Sequence, residues 1–233
     1  MRLKALCLGS AVAAATMAGA AAHATPLSTP TFSVSVYSAL TPNSSIGSSN
    51  QQALPTNPIV TGSNEIASFT LAGLPQWFVG ASTTNSLGNF VGASLSNSVW
   101  TAPSNISNLA FMNGGSFGSI LSTPSFGSAT IFDLALNGNT GTLANPLTLT
   151  ITHDDGMSLF ASNYQYTAAS GPVYVDTTTF TIPAGTTGPY NLWYLEANGA
   201  PSALEVSVPE PGTVSLFAMA LLSLGFVAYR RRM

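Results

Sequence analysis

Between Thr25 and Val208 the chain contains no lysine and no arginine. All five basic residues of the 233 sit at the two ends, as Arg2, Lys4, Arg230, Arg231 and Arg232. The same stretch carries seven acids: Glu65, Asp133, Asp154, Asp155, Asp176, Glu196 and Glu205. Nucleic acid, anionic lipid and phosphate ligands all need cationic partners, so this composition argues against each of them. A phosphate-loop lysine and an arginine clamp are excluded outright. Cysteine is equally scarce. Cys7 is the only one, inside the N-terminal apolar run and too early to be the lipid-bearing cysteine of a lipoprotein. Without Cys7 the chain has no thiol, hence no disulfide and no cysteine metal site, and its stability must come from its core. Helix signals are nearly absent as well, and solubility falls to Ser, Thr, Asn and Gln.

The first end reads MRLKALCLGSAVAAATMAGAAAHATP. Arg2 and Lys4 form a positive n-region, Ala5 to Ala22 an apolar run of small residues, and Ala22-His23-Ala24 an A-x-A cleavage pattern before Thr25. This is the layout of a secretory signal peptide over residues 1–24, removed by signal peptidase. The body expected to remain is 25–207.

The other end reads SVPEPGTVSLFAMALLSLGFVAYRRRM. Thr213 to Tyr229 carry no charge, and at ~1.5 Å per residue they reach about 25 Å, enough for one helix across a thin bilayer. The arginines that follow stay on the cytoplasmic side, which leaves the body outside. Val208-Pro209-Glu210-Pro211, then the apolar span, then Arg230, Arg231 and Arg232 at the terminus resemble a PEP-CTERM sorting signal. That resemblance implies recognition of 208–233 by an exosortase, transient single-pass anchoring in the inner membrane, and final delivery to the cell surface or extracellular matrix. Such proteins belong to Gram-negative bacteria that make extracellular polysaccharide, often as biofilm.

The body is rich in strand patterns. TFSVSVY (31–37), EIASFTLAG (65–73), ATIFDLALNG (129–138), PLTLTITHDD (146–155), VYVDTTTFTIPAG (173–185), YNLWYLEANG (190–199) and SALEVSV (202–208) are set off by Asn, Gly, Pro and Ser, and several of them alternate apolar with polar residues. They predict an all-β, antiparallel sandwich or barrel. The Ser/Asn/Gly-rich segments 41–64 and 80–128 read as long loops or short edge strands.

One cluster stands out chemically: His153-Asp154-Asp155-Gly156. Neighbouring side chains on a strand face opposite ways, so two adjacent carboxylates can share a ligand only if the backbone leaves strand geometry, which Gly156 would permit. With no Lys or Arg in the body, the pair must be solvated, bonded to N–H groups, partly protonated, or bound to a cation; all-oxygen ligands suit Ca²⁺. A plain turn is the alternative. LTLTITHDDGMSLFAS, then FTIPAG, then YNLWYLEANGAPSALEV resemble the PA14 domain over about 129–207, with Asp154, Asp155, Gly156, Leu159, Phe160, Ala184, Gly185, Tyr194, Glu196, Gly199, Ala203 and Leu204 as the matching positions. The resemblance implies a β-sandwich or barrel module of the kind found in adhesins, glycosidases and toxins. In the lectin members paired aspartates hold a Ca²⁺ that binds sugar hydroxyls, which would make Asp154 and Asp155 metal ligands here and an extracellular polysaccharide the partner.

Two other chemistries compete. Gly114-Gly115-Ser116-Phe117-Gly118 fits G-x-S-x-G, with Asp133 and His153 in the chain order of an α/β-hydrolase, but no helix pattern follows it. His153 with two carboxylates could form a facial metal set, although a turn histidine donating to a carboxylate or carbonyl is the simpler assignment. Trp77, Phe78, Trp100, Trp193 and Tyr194 are the aromatics available to stack on a sugar. The reading is therefore a non-enzymatic exported protein that binds polysaccharide or associates with the matrix. Its rival is a structural surface protein with no specific ligand. One consequence is immediate: trypsin has no site between Lys4 and Arg230, so mass spectrometry of a denatured, trypsin-treated sample should recover residues 25–208 as uncut chain.

Overall fold

A computed structural model describes residues 29–38, 52–119, 121, 129–138, 141–168, 174–197 and 199–209. The expected signal peptide with Ala22, Ala24 and Thr25, and the tail from Glu210 and Pro211 through the 213–229 span to Arg230, Arg231 and Arg232, lie outside them. Among the described residues no helix is long and apolar enough to cross a membrane. Ser28–Pro209 forms one compact unit with its own core.

The unit is built from strands β1 (Thr31–Ser38), β2 (Glu65–Ala72), β3 (Gln76–Val79), β4 (Ser94–Ser96), β5 (Val99–Thr101), β6 (Ile106–Phe111), β7 (Ala129–Leu136), β8 (Leu147–Asp154), β9 (Met157–Ala161), β10 (Tyr164–Ala168), β11 (Asp176–Ile182), β12 (Asn191–Ala197) and β13 (Ser202–Ser207). A single helical turn, α1 (Leu87–Phe90), has Ser86 as its N-cap, whose hydroxyl accepts from the Asn89 amide at 3.3 Å. A seven-stranded sheet runs β10-β9-β12-β7-β1-β2-β6 and a four-stranded sheet β11-β8-β13-β3, every pairing antiparallel. The two sheets pack face to face as a sandwich.

All seven strands read from the sequence are present. β3 and β9 escape pattern reading because one is four residues long and the other begins with three buried residues in a row, which hides the alternation. The segment 80–119 holds α1, the β4–β5 hairpin and the edge strand β6. Asn97 and Ser98, both at positive φ, make the two-residue hairpin turn that matches strand twist. The sheets do not divide at residue 129: β7 lies between β1 and β12, and β3 pairs with β13. The early strands are thus integral to the domain that the sequence pattern located only over 129–207.

Alternation supplies the core. Phe32, Val34 and Val36 of β1 point inward, as do Leu149 and Ile151 of β8, Leu204 and Val206 of β13, and Trp77 and Val79 of β3. Burial of each such side chain contributes about 1.5–3 kcal/mol. At the centre Phe90 stacks on Tyr194 at 5.6 Å and 14°, and Trp77 and Phe132 close the group at 5.5–5.8 Å. Trp193 and Leu195 turn to the other side of the seven-stranded sheet, where Ala53 and Ile59 cover them.

One glycine is demanded by contact. At Gly115 the chain runs against β2 so closely that a Cβ would lie 2.0 Å from the Ile66 carbonyl oxygen, whereas at Gly62 nothing comes within 4 Å. Gly115→Ala should therefore cost about 1–3 kcal/mol through backbone displacement. Gly62→Ala should stay within about 0.5 kcal/mol. Denaturant unfolding of the two variants checks this difference.

Candidate functional site

β8 ends at Asp154, the Asp154–Asp155 peptide is cis, and β9 begins at Met157. Gly156 is not among the glycines at positive φ, and the chain leaves strand geometry over Asp155 and Gly156. The turn docks onto β12: the Asp155 amide donates to the Leu195 carbonyl at 3.2 Å, and the Leu195 amide donates to the Gly156 carbonyl at 2.9 Å. Asp155 Oδ2 accepts from the Ala197 amide at 2.6 Å.

Asp154 and Asp155 are 5% and 3% exposed. Their settings differ. The Asp154 carboxylate accepts no hydrogen bond among the described residues, and burial pushes its pKa up to about 6. Ser158 Oγ is the only fully buried side-chain oxygen or nitrogen without a partner among those residues, so the Asp154 oxygens keep a contact with solvent.

Beneath the turn lies a third acid. Glu196 is fully buried, and its pKa is pushed up to about 10, by burial first and then by the charge of Asp155; hydrogen bonds with Tyr194 and Ser202 act in the opposite direction. Its Oε2 lies 3.0 Å from the Tyr194 hydroxyl, which also bonds the Asp154 backbone carbonyl. The Tyr194 hydroxyl donates to both acceptors. With its pKa raised this far by burial and the neighbouring aspartate charge, Glu196 keeps its proton at neutral pH. Asn85 approaches the other Glu196 oxygen at 3.5 Å and accepts from Ser202 at 3.1 Å. Sequence reasoning matched Glu196 only to a family pattern. Its role depends on β12 packing under β8, which no local signal encodes.

His153 is fully buried. Nδ1 lies 2.6 Å from the Asp155 carbonyl, to which it donates, and Nε2 lies 3.3 Å from the Thr178 hydroxyl. Both ring nitrogens are thus occupied, as the simple turn assignment expected and the facial metal set did not. The hydrolase triad does not assemble. Ser116 partners Ser119, Asp133 accepts from Asn191 at 2.8 Å, and His153 lies on the inner face of the other sheet. Among the described residues no three His, Cys, Asp or Glu side chains converge as a metal-ligand group; the protein carboxylates on offer are the Asp154–Asp155 pair. Of the five aromatics, Trp77, Trp193 and Tyr194 are buried, Trp100 is half-buried, and Phe78 is 55% exposed. Val208 and Pro209, the described part of the tail motif, are exposed directly after β13.

The raised pKa values fix the sign of a pH effect. Glu196 holds its proton in the folded state up to about pH 10 but releases it near 4.5 when unfolded. Its contribution is complete below pH 4.5 and declines as pH rises toward 10. In metal-free buffer, stability should fall across that window. Glu196→Gln should flatten the slope, as thermal melts from pH 4.5 to 9.5 would show.

Comparison with known proteins adds the following. The PEP-CTERM protein-sorting motif is found at residues 207–232. It marks an exosortase-sorted, exported protein with a cell-surface or extracellular destination. No curated protein matches the chain by sequence. Among solved structures the chain is similar to the PA14 domain of the MpAFP antifreeze protein, with 14% identity and TM-score 0.43 over 76% of this chain and 81% of that one. It is also similar to the PA14 sugar-binding domain of an RTX adhesin, with 16% identity and TM-score 0.43 over 76% and 88%.

Proposed function

We propose that the exported body is a non-enzymatic polysaccharide-binding module in which Asp154 and Asp155 hold a Ca²⁺ ion. The observation that carries this reading is the Asp154 carboxylate, 5% exposed and without a hydrogen-bond donor among the described residues, in a body with no Lys or Arg to balance it. A buried charge without a partner is costly and either takes a proton or takes a cation. Asp155 has one oxygen on the Ala197 amide, which fixes the orientation of that carboxylate. Hard oxygen donors favour Ca²⁺ over softer metals. The ion would supply a charge that coordinates ligand hydroxyls, while this chain holds the two carboxylates with Tyr194 and the β12 backbone. The sequence likeness to PA14 lectins and the exported destination support a glycan as the ligand.

Thermal unfolding of the 25–209 body in Ca²⁺ and in EDTA tests the cation. At a hundredfold excess over Kd, Ca²⁺ should add about 2.7 kcal/mol, several degrees for a domain of this size. Asp154→Asn/Asp155→Asn should abolish the rise. No rise in the parent body would leave the pair as a turn and give the lead to a structural surface protein without a specific ligand.

A further inference from the structure

The two main sheets end in four edge strands, β10 and β6 in one, β11 and β3 in the other. Three of these edges are blunted. β3 and β10 are short, at four and five residues. β6 pairs with β2 through a register shift between Ser68 and Thr70, and its Asn108 is at positive φ, which bends that edge. β11 differs. It runs seven residues, Asp-Thr-Thr-Thr-Phe-Thr-Ile, without proline, glycine or lysine. Its register with β8 is unbroken from Asp176 opposite His153 to Ile182 opposite Leu147. Among the described residues no strand pairs with its other side.

The main-chain groups on that open side can be named. The Thr177 amide donates to the Asp176 carboxylate at 2.8 Å, and the Thr181 carbonyl accepts from the Tyr164 hydroxyl at 3.3 Å. Neither bond goes to β8. Main-chain direction alternates along an antiparallel strand, so Thr177, Thr179 and Thr181 all turn their N–H and C=O groups outward. The Thr181 carbonyl keeps a second lone pair for a new donor. On the outer face of the sheet the same three residues each meet a threonine of β8, with hydroxyls 2.9–3.0 Å apart. Threonine beside threonine is a pairing this strand already makes. Directly before the strand, Tyr174 and Val175 are 94% and 44% exposed. Directly after it, Pro183 and Ala184 are exposed as well.

We infer that this edge is a pairing surface for a second copy of the body, β11 lying antiparallel to β11 across a two-fold axis at Thr179. The symmetry sets Thr177 opposite Thr181 of the second copy, so the outward amides and carbonyls meet in about six main-chain hydrogen bonds. Thr177 exchanges its local bond to Asp176 for one across the axis. On the outer face threonine meets threonine, as it does on β8. Val175 and Tyr174 come against Pro183 and Ala184 of the second copy, which covers the exposed apolar groups at both ends of the strand. Charge favours the same arrangement. The body has no Lys or Arg, so it repels its own copies wherever two carboxylates meet. β11 carries only Asp176, which falls opposite Ile182 of the second copy, and the two Asp176 residues stand roughly 20 Å apart. The two four-stranded sheets become one, with both threonine faces on the same side.

Sedimentation velocity on the 25–209 body at rising concentration tests the pairing. One strand pair lies at the low end of interface size, so a reversible dimer with micromolar dissociation is expected. Thr179→Lys sets two ammonium groups opposite each other at the axis and should raise the dissociation constant about tenfold, with part of the loss recovered in high salt. Thr179 is exposed, so the variant should still fold, as its circular dichroism would show. A cysteine gives a positional check, since residues 25–209 contain no thiol of their own. Thr179→Cys should form a disulfide-linked dimer under oxidation, whereas Ser207→Cys, exposed on β13 two strands away, should not. A body that stays monomeric at millimolar concentration overturns the pairing. So does a dimer that Thr179→Lys leaves intact, or one that Ser207→Cys captures as readily as Thr179→Cys.

Discussion

The body must manage seven carboxylates without a single cationic side chain of its own, and much of its polar architecture follows from that constraint. Asp133 accepts from the Asn191 amide, Asp155 from a backbone amide, and Glu196 keeps its proton. These are three ways of avoiding an unbalanced buried charge, and each needs a specific donor placed by the sheets. Among the described residues none of them serves Asp154. Its neighbours provide a carbonyl contact through the backbone and nothing for its carboxylate, so its charge is left for the solution to settle.

β12 ties this electrostatic problem to the core. Tyr194 stacks on Phe90, contacts Phe132, and with its hydroxyl supports the Asp154 carbonyl. One residue on, Leu195 makes two backbone bonds to the Asp155–Gly156 turn. The Asp154–Asp155 turn is therefore tied to a strand that runs through the core, although it lies at the end of β8. Loops carry most binding groups because loops can vary. Here a short turn gains its precision from the strand beneath it.

The strands that alternate over seven or eight residues were legible in the sequence, because half-buried strands leave a period of two. β3, the β4–β5 hairpin and β10 are too short to show it, and β9 opens with a buried run. The pairing of early with late strands was not legible, since register between residues a hundred positions apart leaves no local trace. The same division applies to the site. Asp154 and Asp155 announce themselves as adjacent acids without a counter-charge. Glu196 looks like an ordinary alternating polar residue of YNLWYLEA, yet its side chain points into the core, where only tertiary packing decides that it stays neutral. Trp193 and Tyr194 were equal candidates for a ligand surface until the two faces of β12 were known, and both proved to be covered.

The arrangement also bears on what processing does to the molecule. β13 ends at Ser207, and Val208 and Pro209 stand exposed immediately beyond it. β13 simultaneously carries Ala203 between Phe78 and Asp154 and pairs with both β3 and β8. Both sheets end before the tail, so loss of residues beyond Pro209 would take no residue from either of them. Proline at 209 lacks an amide hydrogen and cannot extend the ladder.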